Sequence, residues 1–380
     1  MKKQDIAGII VYVLILAFAA VFGLVVVNQY SSKSNMETWQ FILFVAGAIV
    51  VGLIFNSILY ELAHMLGAKI GGYRITLVSI LGFTFYKENG KTKFRFMSFD
   101  GLTGETKIIP IEKRKKPSNP VPYLIMGTII YAIEVVAVVF TFSILTREGG
   151  TTMMSNIAYF LLIVMAVGGI IVFYNIIPFQ LDSMNDGYRL RLVSGKKNKE
   201  AFNKTLLGVT DETPSEDGQI EENTSFSSDL KLNQVLTCLN DEKYVEAEQL
   251  VDSIIANADT DKKISNKTLL EANAQKVFLV FMNNDEETAK KFFDENLTLQ
   301  DRKRFSDELN LPCIRAYVLI SSLLDGSHSE CMRTLDKVYK AYKRTQENRR
   351  PLESKLLNMA LEMVNKKHPN WNINDYQIKE

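Results

Sequence analysis

Histidine and cysteine are scarce in this chain, three of each in 380 residues. His328 and His368 lie in the polar C-terminal half with no ligand-spaced partner nearby, which leaves His64 as the one imidazole of the apolar half. That shortage excludes a metal centre built on clustered imidazoles. The cysteines, Cys238, Cys313 and Cys331, all fall in the polar half with no CxxC spacing. This excludes a disulfide framework and a thiolate zinc site, and is read as free or buried thiols in a reducing compartment. The net charge of +1 supplies no basic surplus, so no nucleic-acid partner is expected.

Long hydrophobic runs are what the chain does have. The mean hydropathy of +0.01 averages two unlike halves, one rich in uncharged stretches up to about residue 195 and one dense in Lys, Glu, Asp and Asn. Residues 6–27, 41–67, 121–145 and 157–178 are each long enough for a hydrocarbon core of about 30 Å, which takes about 20 apolar residues. The first run follows Lys2 and Lys3 and exceeds the apolar length of a secretory signal, so it is read as a retained anchor. Basic residues flank the runs on alternate sides. Lys2 and Lys3 precede the first, Lys113 to Lys116 precede the third, and Arg189, Arg191, Lys196 and Lys197 follow the fourth. The opposite loops, 28–40 and 146–156, hold one basic residue each. By the excess of Lys and Arg on the cytoplasmic side, both termini are expected in the cytoplasm of a four-span protein of the cell membrane. The second and fourth spans then run the same way and end at the same face.

The expected fold is an α-helical integral membrane protein with four spans and a small β-hairpin insert, followed by a helical cytoplasmic domain. The boundaries are an anchor over 1–30, a membrane core over 41–195 with the β insert at 70–110, a linker over 196–229 and the soluble domain over 230–380. Within the insert, residues 73–78, 82–87 and 92–97 are aromatic and β-branched, and Asn89-Gly90 is a hairpin turn signal. Lys93 and Arg95 alternate with Phe94 and Phe96, giving one polar and one apolar face. Beyond the polar stretch at 210–229, helical periodicity returns. Residues 240–251, 284–293 and 326–335 resemble the turn and second helix of tetratricopeptide hairpins. They recur at about 43 residues and not the 34 of a regular repeat, so the domain is read as degenerate hairpins, with a plain α-helical bundle as the alternative.

Two motifs carry the chemistry. Tyr60-Glu61-Leu62-Ala63-His64 ends the second apolar run and matches HExxH except at its first position. In the intact motif two histidines on one helix face share a zinc, and the glutamate activates its water. The fourth run ends in Asn175-Ile176-Ile177-Pro178, with Asp186-Gly187 shortly after. Together these resemble the site-2 protease family of intramembrane zinc metalloproteases over roughly residues 41–195, most closely its Gram-positive members with NDG or SDG as the second motif.

The resemblance implies Glu61 as catalytic base, and His64, Asp186 and the Tyr60 position as metal ligands. It implies Asn175 and Pro178 as substrate contacts and a membrane-embedded or peptide client. Asp182 competes with Asp186 for the ligand role, but only Asp186 precedes glycine. Phenol is a costly zinc ligand, since its reference pKa is about 10 and metal must displace that proton. Span three also departs from the family, keeping Gly127 but lacking the second glycine and the asparagine. The expectation is therefore a catalytically inactive pseudoprotease in which zinc is weak or absent. The alternatives are an active enzyme that tolerates Tyr60, and an accessory subunit of a peptide-export or immunity system. The helical domain is expected to bind a protein partner. Glu134, an ionisable group in mid-span, calls for a partner or a cavity.

Overall fold

The computed structural model describes residues 3–31, 34, 36–88, 91–97, 101–111, 116–147, 151–180, 184–207, 224–258, 264–284 and 286–378. The chain divides into two compact units, Met1–Lys199 and Glu200–Glu380.

The first unit holds four helices long and apolar enough to cross a membrane: α1 (Lys3–Ser31), α2 (Thr38–Gly71), α3 (Pro120–Leu145) and α4 (Thr152–Ile176). Their boundaries follow local chemistry. The Gln40 side chain accepts the Glu37 N–H at 3.1 Å ahead of α2. Asn119 and Thr151 cap α3 and α4 by accepting from Val121 N–H and Met154 N–H. At the far end of α2, Gly72 adopts φ +87°, which a residue without Cβ enters at little cost, and returns its N–H to Lys69 O. Helix α4 stops at Ile176 because Ile177, held extended by Pro178, cannot continue it. The second span is thus longer than expected at both ends, and the fourth ends before Pro178. Large apolar side chains such as Leu24, Leu43, Val136 and Phe140 lie exposed along these helices. A hydrocarbon solvent demands that surface, with every backbone polar group bonded inside its helix.

Between α2 and α3 stands a four-stranded antiparallel sheet: β1 (Tyr73–Ile80), β2 (Phe83–Glu88), β3 (Lys91–Phe96) and β4 (Gly104–Pro110), in the order β3-β2-β1-β4. Three strands are expected from the sequence and the fourth is not. Lys107 interrupts the apolar pattern of β4, and glycine and proline stand at its ends. What makes it a strand is its partner: β1 pairs with it from Tyr73↔Pro110 to Ile80↔Gly104, with an irregularity between Ile75 and Leu77. The expected two-faced pattern of β3 is present, but its apolar face is not buried. Phe94 and Phe96 pair with Phe85 and Phe83, and all four rings are exposed. The Asn89-Gly90 turn lies outside the described residues.

The second unit is wholly helical among its described residues. Helix α5 (Asp186–Leu192) closes the first unit, α6 (Lys196–Leu207) spans the boundary, and the rest are α7 (Ser227–Asn240), α8 (Tyr244–Ala256), α9 (Asn266–Asn283), α10 (Glu286–Asn296), α11 (Leu299–Asp307), α12 (Leu311–Leu319), α13 (His328–Leu335), α14 (Val338–Arg344) and α15 (Arg350–Lys367). The proposed linker at 196–229 therefore begins as a helix, and its stretch 208–223 lies outside the described residues. The three repeat-like segments become α8, α10 and α13, each burying a small residue: Ala247, Ala289 and Cys331. The main core gathers Leu236, Leu239, Phe278, Leu279, Ile314, Leu356, Leu357 and Leu361. This core lies wholly within the second unit. A fragment of residues 200–380 is accordingly expected to be soluble and helical by circular dichroism; an insoluble or unstructured product would refute the independence of the unit. All three cysteines are free, Cys313 and Cys331 are buried, and burial pushes the Cys331 thiol up to about 11.

Candidate functional site

Helical spacing places Tyr60 and His64 on one face of α2, one turn apart, with Glu61 beside them. All three are buried. Asp186, also buried, is the first residue of α5 and comes to them from the other end of the chain. The Tyr60 hydroxyl donates to Asp186 Oδ2 at 3.1 Å. His64 Nε2 lies 3.0 Å from that same oxygen, an ion-pair contact whose alignment falls short of a hydrogen bond. The Tyr60 and His64 rings meet edge-on with centroids 4.6 Å apart.

Glu61 points elsewhere. Its Oε2 accepts the Thr106 hydroxyl at 2.6 Å and sits 3.8 Å from His64 Nδ1. Thr106 belongs to β4, and the Tyr123 hydroxyl donates to its carbonyl at 2.8 Å. The strand that the sequence conceals thus supplies the hydrogen bond that orients the proposed base. Gly104, two residues earlier, lets the strand pass close by, since a Cβ there would lie 2.7 Å from Glu61 Oε1.

Asn185 positions Asp186. Its Nδ2 donates to Tyr174 O at 2.8 Å and Ile177 O at 2.7 Å, while its Oδ1 accepts the Tyr188 N–H at 2.9 Å. One side chain therefore satisfies the frayed carbonyls of α4 and caps α5. Burial works to raise the Asp186 carboxyl, but His64, Arg189 and the Tyr60 hydroxyl hold it below the ordinary carboxylate value.

Of the six residues singled out in the sequence, four converge: Tyr60, Glu61, His64 and Asp186. Asn175 does not join them. It donates to Ile171 O at 2.9 Å within its own helix, and Pro178 is exposed beyond the helix end. Asp182 lies outside the described residues. Thr106, Tyr123 and Asn185 were missed. Asn185 had a readable signal, as a cap residue directly before an Asp-Gly helix start. Thr106 and Tyr123 had none, because only folding brings them near Glu61.

Among the described residues, no three His, Cys, Asp or Glu side chains converge as a metal site. A catalytic zinc centre keeps three protein ligands and an open position. Here the third donor is a phenol whose proton already serves Asp186. To act as a zinc ligand the phenol would have to give up that proton.

Space for the phenol ring comes from Gly127 on α3, where a Cβ would fall 2.3 Å from Tyr60 Cε2. Gly127→Ala is therefore expected to destabilise the membrane unit by about 1–3 kcal/mol through overpacking. Tyr60→Ala in the same chain should recover most of that loss, because the clashing ring is gone. Thermal unfolding of the four proteins in detergent measures the coupling, and additive effects would refute the contact.

Comparison of the chain with protein families, characterised proteins and solved structures finds no match.

Proposed function

We propose that this chain is a site-2-protease-like membrane protein in which Asp186, hydrogen-bonded by Tyr60 and in contact with His64, stands in place of the metal centre, and that it binds membrane-embedded or peptide clients without cleaving them. The observation that carries this reading is the 3.1 Å hydrogen bond from Tyr60 to Asp186. At the position of the first metal ligand stands a group that donates a proton to another would-be ligand. A zinc ion needs the lone pairs that this bond and His64 now engage. The charge pattern supports placing both termini in the cytoplasm, with the helical second unit as a surface for a protein partner there.

One observation favours the active alternative: Glu61 is hydrogen-bonded and held near His64 as a general base would be. In that reading Tyr60 would bind zinc as a phenolate. Its burial among Glu61 and Asp186 opposes the additional negative charge. Metal analysis of the purified wild type and of Tyr60→His separates the two readings.

A further inference from the structure

Span α3 carries one acidic or basic residue, Glu134, fourteen residues in from Pro120 and eleven short of Leu145. At 1.5 Å per residue this is about 20 Å from one helix end and about 16 Å from the other, near the middle of a hydrocarbon core. Both carboxylate oxygens are shielded from solvent, and neither has a hydrogen-bond partner among the described residues. The polar groups around it are committed elsewhere. Asn56 Nδ2 donates to Gly52 O and Val164 O, both at 2.9 Å, and the Tyr131 hydroxyl donates to Met165 O at 3.1 Å. Nor can the spans supply a counter-charge. Their lysines are Lys3 and Lys69, near the ends of α1 and α2, and their one histidine is His64.

A carboxyl left this way is costly unless something meets it. It lines a small cleft of about 10 Å³, room for about one water-sized group, walled by Asn56, Tyr60, Gly127, Tyr131 and Gly168. The two glycines let Tyr60 and Asn56 pack closely into its walls. Beside Glu134 on α3, Ile133 and Ile129 are exposed and apolar, so whatever enters the cleft comes through hydrocarbon. That room suits one ammonium group and is too small for a guanidinium or a helix. A bare cation would need several further oxygens, whereas an ammonium brings its own hydrogen-bond donors.

We infer that this cleft is a socket for one basic side chain on a client's transmembrane segment, with Glu134 as the anchoring counter-ion. The inference rests on the client-binding reading above and adds the chemistry of the client.

The test uses the full-length protein in lipid nanodiscs and three synthetic transmembrane peptides. They share a leucine–alanine core and differ only at one central residue, Lys, Gln or Leu; binding is read by energy transfer. The Lys peptide is expected to bind at least about tenfold more tightly than the Leu peptide. Glu134→Gln should abolish that preference and Glu134→Asp should keep part of it. Glu134→Leu should raise the unfolding temperature, because it removes an unmet buried acid. Equal binding of the Lys and Leu peptides to the wild type would overturn the socket while leaving client binding intact. A Lys preference that survives Glu134→Gln would also overturn it. Failure of every peptide to bind would overturn the socket and leave the pseudoprotease reading to the metal experiment.

Discussion

Tyr60→His should raise the zinc content of the purified protein from well below one ion per chain to about one, as expected for a completed three-ligand site. The substitution does two things together. It removes the hydroxyl that donates to Asp186 Oδ2. It also places an imidazole one helical turn from His64, on the face that already meets Asp186. His64, Asp186 and the new ring are then three ligands, with a position open for water beside Glu61. The residue is smaller than the one it replaces, so the close approach at Gly127 admits it. Restored zinc does not require restored cleavage, since binding needs only the three ligands while hydrolysis also needs a path for substrate. Metal analysis by mass spectrometry on the wild type, Tyr60→His, and Tyr60→His with Asp186→Ala checks each step. Stoichiometric zinc in the wild type that disappears on Asp186→Ala would refute the pseudoprotease reading and favour the active enzyme.

Arg315→Ala should cost the helical unit about 3–5 kcal/mol, the range for breaking a fully buried ion pair. Arg315 is fully buried on α12. It donates to Glu353 Oε2 at 2.9 Å and to Gln275 Oε1 at 2.6 Å, tying α9 and α15 to α12. Its guanidinium also lies over the Phe278 ring, 4.7 Å from the centroid. Removing it strands a carboxylate in the core and leaves a cavity. Against a typical domain stability of about 5–15 kcal/mol, that loss is large enough to unfold a marginal variant at physiological temperature. Replacing both partners together, Arg315→Met with Glu353→Leu, should cost much less, because neither charge is then left unpaired. Urea unfolding of the fragment of residues 200–380 measures both. A double variant as unstable as Arg315→Ala would show that the loss comes from shape and not from the stranded charge.

The two networks were legible to different degrees. Nothing in the sequence marks Arg315, Gln275 and Glu353 as partners, since they lie 38 and 40 residues apart and each looks like an ordinary polar position. Their pairing exists only because α9, α12 and α15 pack together. The membrane site was more open to reading. Tyr60, Glu61 and His64 are within five residues of one another on one helix, so spacing alone places Tyr60 and His64 on a shared face. Asp186 is 126 residues from Tyr60, and its arrival could be anticipated from charge flanking the spans, which sends the second and fourth in the same direction.

Local rules therefore determined the helices, their apolar lengths, the Gly72 break and three of the four strands, because each depends on near neighbours and on periodicity. They also determined that a phenol stands where the resembled motif has an imidazole. Tertiary structure decided what that phenol does. Whether Tyr60 reaches a metal, solvent or a carboxylate depends on the space left by Gly127, on the N-terminus of α5 held by Asn185, and on β4 drawing Glu61 aside through Thr106. The same holds for Glu134, whose place in mid-span is plain from sequence but whose lack of a hydrogen-bond partner among the described residues is not. A side chain's type is local, whereas the partner that satisfies it is set by chain segments that meet only on folding.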